Sequence, residues 1–158
     1  MSEIIEILFE DVDLNQTSIF LRNISHNSKI NNFRIMGENY EIGINDEVQN
    51  KIFYFLRDLV SGDMYIDFSG FEIKDIMFLY LGVHLFNYSN KYDLYIYFNA
   101  NELIEKISTF HLKLWADKVH NIIKSKRFYC GYEQAIDFET RFFSKDEMGP
   151  LKDWNNKT

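Results

Sequence analysis

FEIKDIMFLYLGVHLFNYSNKYDLYIYF, residues 71–98, is the stretch on which the fold turns. In its second part, VHLFNY (83–88) and YDLYIYF (92–98) flank Ser89-Asn90-Lys91, two apolar runs around a polar turn, and they read as a β-hairpin. The first part is harder. Ser69 and Glu72 stand at capping-box spacing before IKDIMFLYL, and Gly82 is placed as a C-terminal stop. That pair favours a helix over 70–81, although a run of this length is equally compatible with a buried strand.

Upstream, residues 3–9 alternate with period two and suit a strand near the middle of a sheet. TSIFLR (17–22) is β-branched and aromatic and reads as a second strand. FRIMGENYEIGI (33–44) reads as a hairpin around Gly37, Glu38 and Asn39. Asp46 then caps a helix, with Gln49 as capping-box partner and Val48, Ile52, Phe55, Leu56 and Leu59 at helical spacing, until Ser61-Gly62 stops it. MYIDF (64–68) is a short strand. Downstream, Asn99 and Glu102 open the longest helix, which runs to Lys124 and carries an apolar stripe from Leu103 through Trp115 to Ile123. Its other face bears Lys106, Lys113, Lys118, Lys124 and Lys126. Hairpins that do not alternate strictly with helices indicate an α+β fold, an antiparallel or mixed sheet with about three packed helices. A single domain over 1–152 and a frayed tail at 153–158 are expected.

The chain has 158 residues, 46% hydrophobic and 26% charged, which is enough to bury a full core. The start, MSEIIEILFEDVD, lacks the basic region of a secretory signal, and no apolar run approaches the roughly 18 residues a membrane span needs. One cysteine cannot close an internal disulfide, so a reducing, cytosolic setting is expected. The net charge of −7 is uneven: residues 1–79 hold 6 basic and 14 acidic side chains, net −8, and residues 80–158 hold 11 and 10, net +1. An acidic surface repels nucleic acid and favours a basic partner.

Chemistry-bearing motifs are sparse. His26, His84, His111, His120 and Cys130 have no metal-ligand spacing, so no cofactor or metal is expected. Cys130 follows Lys126 and Arg127, which would favour a thiolate, but it sits among aromatics, where packing is the commoner role. Asp63 and Asp67 fall on one side of a strand, as an acid-base pair or as solvated charges. The segment CGYEQAIDFETRFFSKDEMGPL (130–151) gathers the single cysteine, the single proline and two of the seven glycines. It reads as a structural clasp, with Tyr132, Phe138, Phe142 and Phe143 as anchors, Glu133, Asp137, Glu139 and Arg141 pairing internally, and Gly149-Pro150 making a turn.

Its GYE-x-A-x-D-x-x-T-R-x-F pattern at 131–143, with the chain's size and acidity, resembles the small acidic α+β immunity proteins of bacterial polymorphic-toxin and contact-dependent inhibition systems. The abundance of Ile, Asn, Lys, Phe and Tyr fits an AT-rich bacterial gene. The resemblance implies a cytosolic protein without catalytic residues that binds a cognate toxin domain and blocks its active site or substrate groove. Against a nuclease, acidic and aromatic side chains standing where a phosphate backbone would lie suffice. Asp11, Asp13, Glu38, Glu41, Asp63 and Asp67 are then the candidate contacts, chosen for their loop or strand-end positions in the acidic half. The competing readings are a small enzyme using Cys130 or a carboxylate pair and a self-assembling structural or regulatory module.

Overall fold

The described residues of 71–98 lie in strands and their turns. In the computed structural model, which describes residues 4–26, 28–35, 38–39, 62–73, 75–103, 106–152 and 154, β4 (Gly62–Ile73) and β5 (Ile76–Tyr88) form one long hairpin, and β6 (Lys91–Asn99) returns beside β5. The expected helix over 70–81 is therefore the tip of that hairpin. Ser69 pairs with Tyr80 and Glu72 with Met77, so the two residues of the apparent capping box are ladder residues. Burial misled the reading. Leu81, Val83 and Leu85 point inward, but beyond Gly70 (φ +66) the inward positions become Ile76 and Phe78, and this change of phase destroys strict alternation. Phe78 closes on Phe98 and Trp115, with ring centroids 5.4 and 5.6 Å away. Gly82 stops nothing; a side chain there would meet the Tyr65 hydroxyl at 2.8 Å. The turn between β5 and β6 follows the sequence expectation, with positive φ at both Ser89 and Asn90 as a two-residue hairpin loop requires.

The remaining elements complete an antiparallel sheet of eight strands. β1 (Ile4–Glu10) is followed by α1 (Leu14–His26), β2 (Lys29–Ile35) and β3 (Glu38–Asn39), and after β6 come α2 (Thr109–Ile123), β7 (Arg127–Tyr132) and β8 (Arg141–Ser144). The sheet order is β3-β2-β4-β5-β6-β1-β7-β8, which puts β1 inside the sheet as expected. The class is α+β, with two α-helices among the described residues. TSIFLR, expected as a strand, lies in α1: Thr17, Phe20, Leu21 and Ile24 are the buried positions, and their spacing is helical. Asp13 caps this helix, its carboxylate accepting from Gln16 N–H at 2.8 Å. The helix expected from Asp46 lies outside the described residues, as does the part of the first hairpin beyond Asn39. The long helix begins later than expected. Asn99 caps a 3-10 turn at Ala100–Glu102, and Ser108 caps α2 by accepting from His111 N–H.

Both helices lie on one face of the sheet. Ile5, Ile7 and Phe9 of β1, Met64, Ile66 and Phe68 of β4, and Leu94, Ile96 and Phe98 of β6 point toward them, and Leu112, Trp115, Ala116, Val119 and Ile123 of α2 complete the core.

The segment after β7 is a clasp. Gly131 pairs with Arg141 where a register shift bends the ladder, and a Cβ on it would lie 2.3 Å from the Thr140 carbonyl oxygen. Gly149 is equally close to the Arg141 carbonyl, and Gly149 and Leu151 donate to Phe142 and Arg141. That outer rail covers the exposed edge of β8. Phe142 and Phe143 are fully buried, with Tyr132 and Trp154 edge-on to Phe142 at 4.9 and 5.5 Å. Trp154, in the segment expected to fray, is thus held by the core. Phe138, expected as an anchor, is 56% exposed; its 3-10 turn carries it outward, and Arg141 reaches over its ring. Arg141 does not serve the expected acids: its guanidinium donates to the carbonyls of Ala135 and Ile136 and lies 4.6 Å above the Tyr129 ring.

Candidate functional site

The opposite face of the sheet carries no helix among the described residues, and its side chains follow from strand alternation. In β6 the core residues Leu94, Ile96 and Phe98 alternate with Asp93, Tyr95 and Tyr97, and in β1 the core positions alternate with Ile4, Glu6, Leu8 and Glu10. Register then assembles rows across strands. Arg34, Tyr65, His84, Tyr95, Leu8 and Tyr129 form one row over six strands. Asp67, Gly82, Tyr97 and Glu6 form the next. Asp63, Phe86 and Asp93 form a third.

These rows enclose three shallow recesses of 450, 360 and 420 Å³. Tyr97 borders all three, so they make one continuous furrow. The bare backbone of Gly82 forms part of its floor, between Tyr65, Asp67 and Tyr97. The Tyr95 and Tyr97 rings are stacked at 6.0 Å and 5°. Ile4, Tyr80, Phe86 and Ile136 are exposed along its length.

The electrostatics are those of carboxylates partly withdrawn from water. Glu6 is only 3% exposed and accepts from Ala135 N–H at 3.0 Å, so the clasp loop is fastened to this face. Burial raises its pKa, against the backbone hydrogen bond and with the help of the neighbouring Glu133 charge. Burial likewise raises Asp93, although Asp93 accepts from Asp11 N–H, and it raises Glu10 with Asp93 nearby. Burial and a hydrogen bond to Asp67 push Tyr65 up to about 12. Burial and the Glu6 charge also raise the Tyr97 hydroxyl above its ordinary value. Asp63 meets His84 Nε2 at 2.9 Å, and the Tyr65 hydroxyl donates to Asp67 at 2.7 Å.

Of the acids singled out in the sequence, Asp63 and Asp67 stand on this face two rows apart. Asp11 is at the end of β1, tied through its backbone to Asp93. Asp13 is in the helical layer, occupied as a cap. Glu38 is on the edge strand β3, and Glu41 is outside the described residues. Glu6, Tyr65, His84, Tyr95, Tyr97 and Glu133 are not among the expected contacts, though the alternation of YDLYIYF carries the signal for Tyr95 and Tyr97 of β6. Cys130 points into the core, fully buried, with its pKa raised by desolvation and by the Glu6 charge, an environment that suppresses the thiolate a nucleophile needs. No group of three metal-ligating side chains converges among the described residues, and no helix there is long and apolar enough to cross a membrane.

Residues 3–148 match the family model described as PABL017 Cdi1I immunity protein. A chain in the crystal structure of the toxic C-terminal tip of CdiA from Pseudomonas aeruginosa in complex with immune protein shares the fold, with a TM-score of 0.68 and 22% identity over 96% of this chain and 99% of that one. No curated protein matches the sequence.

Proposed function

Since this chain belongs to the PABL017 Cdi1I immunity protein family, we propose that it binds a cognate CdiA-type toxin domain in the cytosol and neutralises it by occupying its active site or substrate groove. The observation that carries this reading is the span of the family match, which takes in the whole described sheet, both helices and most of the clasp. The local chemistry agrees with a binding role. Cys130 is inaccessible, and Asp63 and Asp67 are engaged with His84 and Tyr65 in shallow, open recesses. A toxin domain that acts on nucleic acid would bring a basic groove, and carboxylates such as Asp11, Asp63 and Asp67 would take the place of phosphates there. Association would then slow as salt rises, because exposed charges are screened over about 8–10 Å near physiological ionic strength.

Growth rescue tests the reading. A cognate CdiA-type toxin domain, sought in the gene neighbouring this one, is induced in a sensitive host with and without this chain. Survival only in its presence supports the proposal, and equal killing in both cultures refutes it.

A further inference from the structure

We infer that the furrow on the helix-free face is the docking site for a basic surface of the toxin domain, with one arginine or lysine of that partner seated between the Tyr95–Tyr97 stack and the Glu6 and Glu133 carboxylates. This rests on the toxin-neutralising reading and goes further by naming the face and the side chain it captures.

Three observations lead there. The first is continuity: Tyr97 joins the three recesses, so a partner meets one furrow spanning β4, β5, β6 and β1. The second is composition. The recess beside Ile136 is walled by Tyr95, Tyr97, His84 and Phe86 and holds Glu6 and Glu133. Aromatic faces attract a cation within about 6 Å of the ring, and a carboxylate partly stripped of water gains most from a charged partner. Arginine suits the site best, because its planar guanidinium can stack on a tyrosine while pairing with a carboxylate. The third is the contrast between faces. The helical layer also exposes apolar side chains, Phe110 and Leu114 of α2 and Ile19 of α1, but the acids beside the α2 pair, Asp117 and Asp75, are already engaged by Lys113 and Lys118 and are less open to a basic partner. The furrow instead combines acids with exposed Tyr80, Phe86 and Ile136, the mixture of aromatic anchors and charge found where binding energy concentrates.

The test uses the purified cognate CdiA-type toxin domain as probe, with affinity measured by calorimetry. Glu133→Arg and Phe86→Ala, both on the furrow, are each expected to weaken binding by about tenfold or more, and Phe110→Ala with Leu114→Ala to change it less than about threefold. Hydroxyl-radical footprinting of the unaltered protein does not depend on any variant folding: the complex should protect Tyr80 and Phe86 and leave Phe110 and Leu114 as reactive as in the free chain. Binding that survives the furrow variants but fails with the helical-layer ones, or protection confined to Phe110 and Leu114, overturns the inference and leaves toxin neutralisation standing. Protection of Tyr80 and Phe86 in the free chain, lost on dilution as a dimer dissociates, assigns the furrow to a second copy and also overturns it. A wild-type chain that does not bind the toxin domain at all removes the functional reading itself.

Discussion

Gly131→Ala is the sharpest probe of the clasp. A Cβ at this position would lie 2.3 Å from the Thr140 carbonyl oxygen, 2.9 Å from the Arg141 Cα and 3.0 Å from the Thr140 carbonyl carbon. All three are backbone atoms, so no side chain can swing away. Relief requires residues 140–141 to retreat from β7 by roughly 0.7 Å or more. That movement loosens the Gly131–Arg141 pairing and strains two bonds made by Arg141, its guanidinium to the Ile136 carbonyl at 2.7 Å and its own carbonyl to Leu151 N–H at 3.1 Å. Overpacking costs about 1–3 kcal/mol, and each weakened hydrogen bond adds up to about 1 kcal/mol. A loss of about 3 kcal/mol would lower Tm by roughly 6–12 °C in a domain of this size, read by circular dichroism or calorimetry. Gly70→Ala is the control: nothing lies within 4 Å of its Cβ, and only the left-handed φ of +66 is penalised. Its cost should be nearer 1 kcal/mol. A Gly131→Ala protein melting within about 1 °C of wild type, or more stable than Gly70→Ala, would refute the close-approach argument.

Phe142→Ala removes a fully buried ring packed against Tyr132 and Trp154 and should cost about 3–5 kcal/mol, visible as an early urea midpoint; an unchanged midpoint contradicts its place in the core. Glu6 has a folded-state pKa raised above 4.5 by burial, with Glu133 adding to the rise and Tyr97 and His84 opposing it, so the folded protein holds this proton more tightly than the unfolded chain. Its contribution to stability is therefore greatest below the ordinary carboxyl value and declines as pH climbs from there through the raised one. Glu6→Gln should abolish that decline, so urea midpoints of the two proteins compared from about pH 4 to pH 8 should shift in favour of the variant; a constant difference contradicts the burial of a titrating carboxyl. Cys130, wholly buried, should react with Ellman's reagent only after denaturation, and Cys130→Ala should still neutralise toxin; rapid native labelling, or lost neutralisation in a folded variant, reopens the enzyme reading.

Local signals were legible where chain-local physics decides the structure. Alternation in residues 3–9, the Ser89-Asn90 turn and the approximate end of the long helix at Lys124 all came from neighbours in sequence. Two segments failed for different reasons. In α1 the signal is present, since Asp13 with Gln16 is a capping pair and Thr17, Phe20, Leu21 and Ile24 have helical spacing, but the β-branched and aromatic content of 17–22 points the other way, to a strand. In 70–81 the misleading feature was real: the change of phase beyond Gly70 gives a strand pair that no longer alternates, beside a Ser-Glu spacing that looks like a cap. The furrow was out of reach for a third reason. Glu6, Tyr65 and Tyr97 become neighbours only through the register of β4, β5, β6 and β1, which depends on pairing between residues far apart in the chain. The clasp sat between these extremes: its glycines and aromatics announced a closure, but the outward turn of Phe138 and the use of Arg141 on backbone carbonyls followed from the local path of the loop.

The central claim, neutralisation by direct binding, is tested most directly by titrating a fixed amount of the active cognate toxin domain with this chain and following residual toxin activity. A stoichiometric inhibitor predicts a linear fall that reaches zero at about one equivalent, with activity returning when the complex is dissociated. Complete loss at a small fraction of an equivalent, or activity that stays lost after dissociation, would mean that this chain acts catalytically on the toxin and would contradict the account.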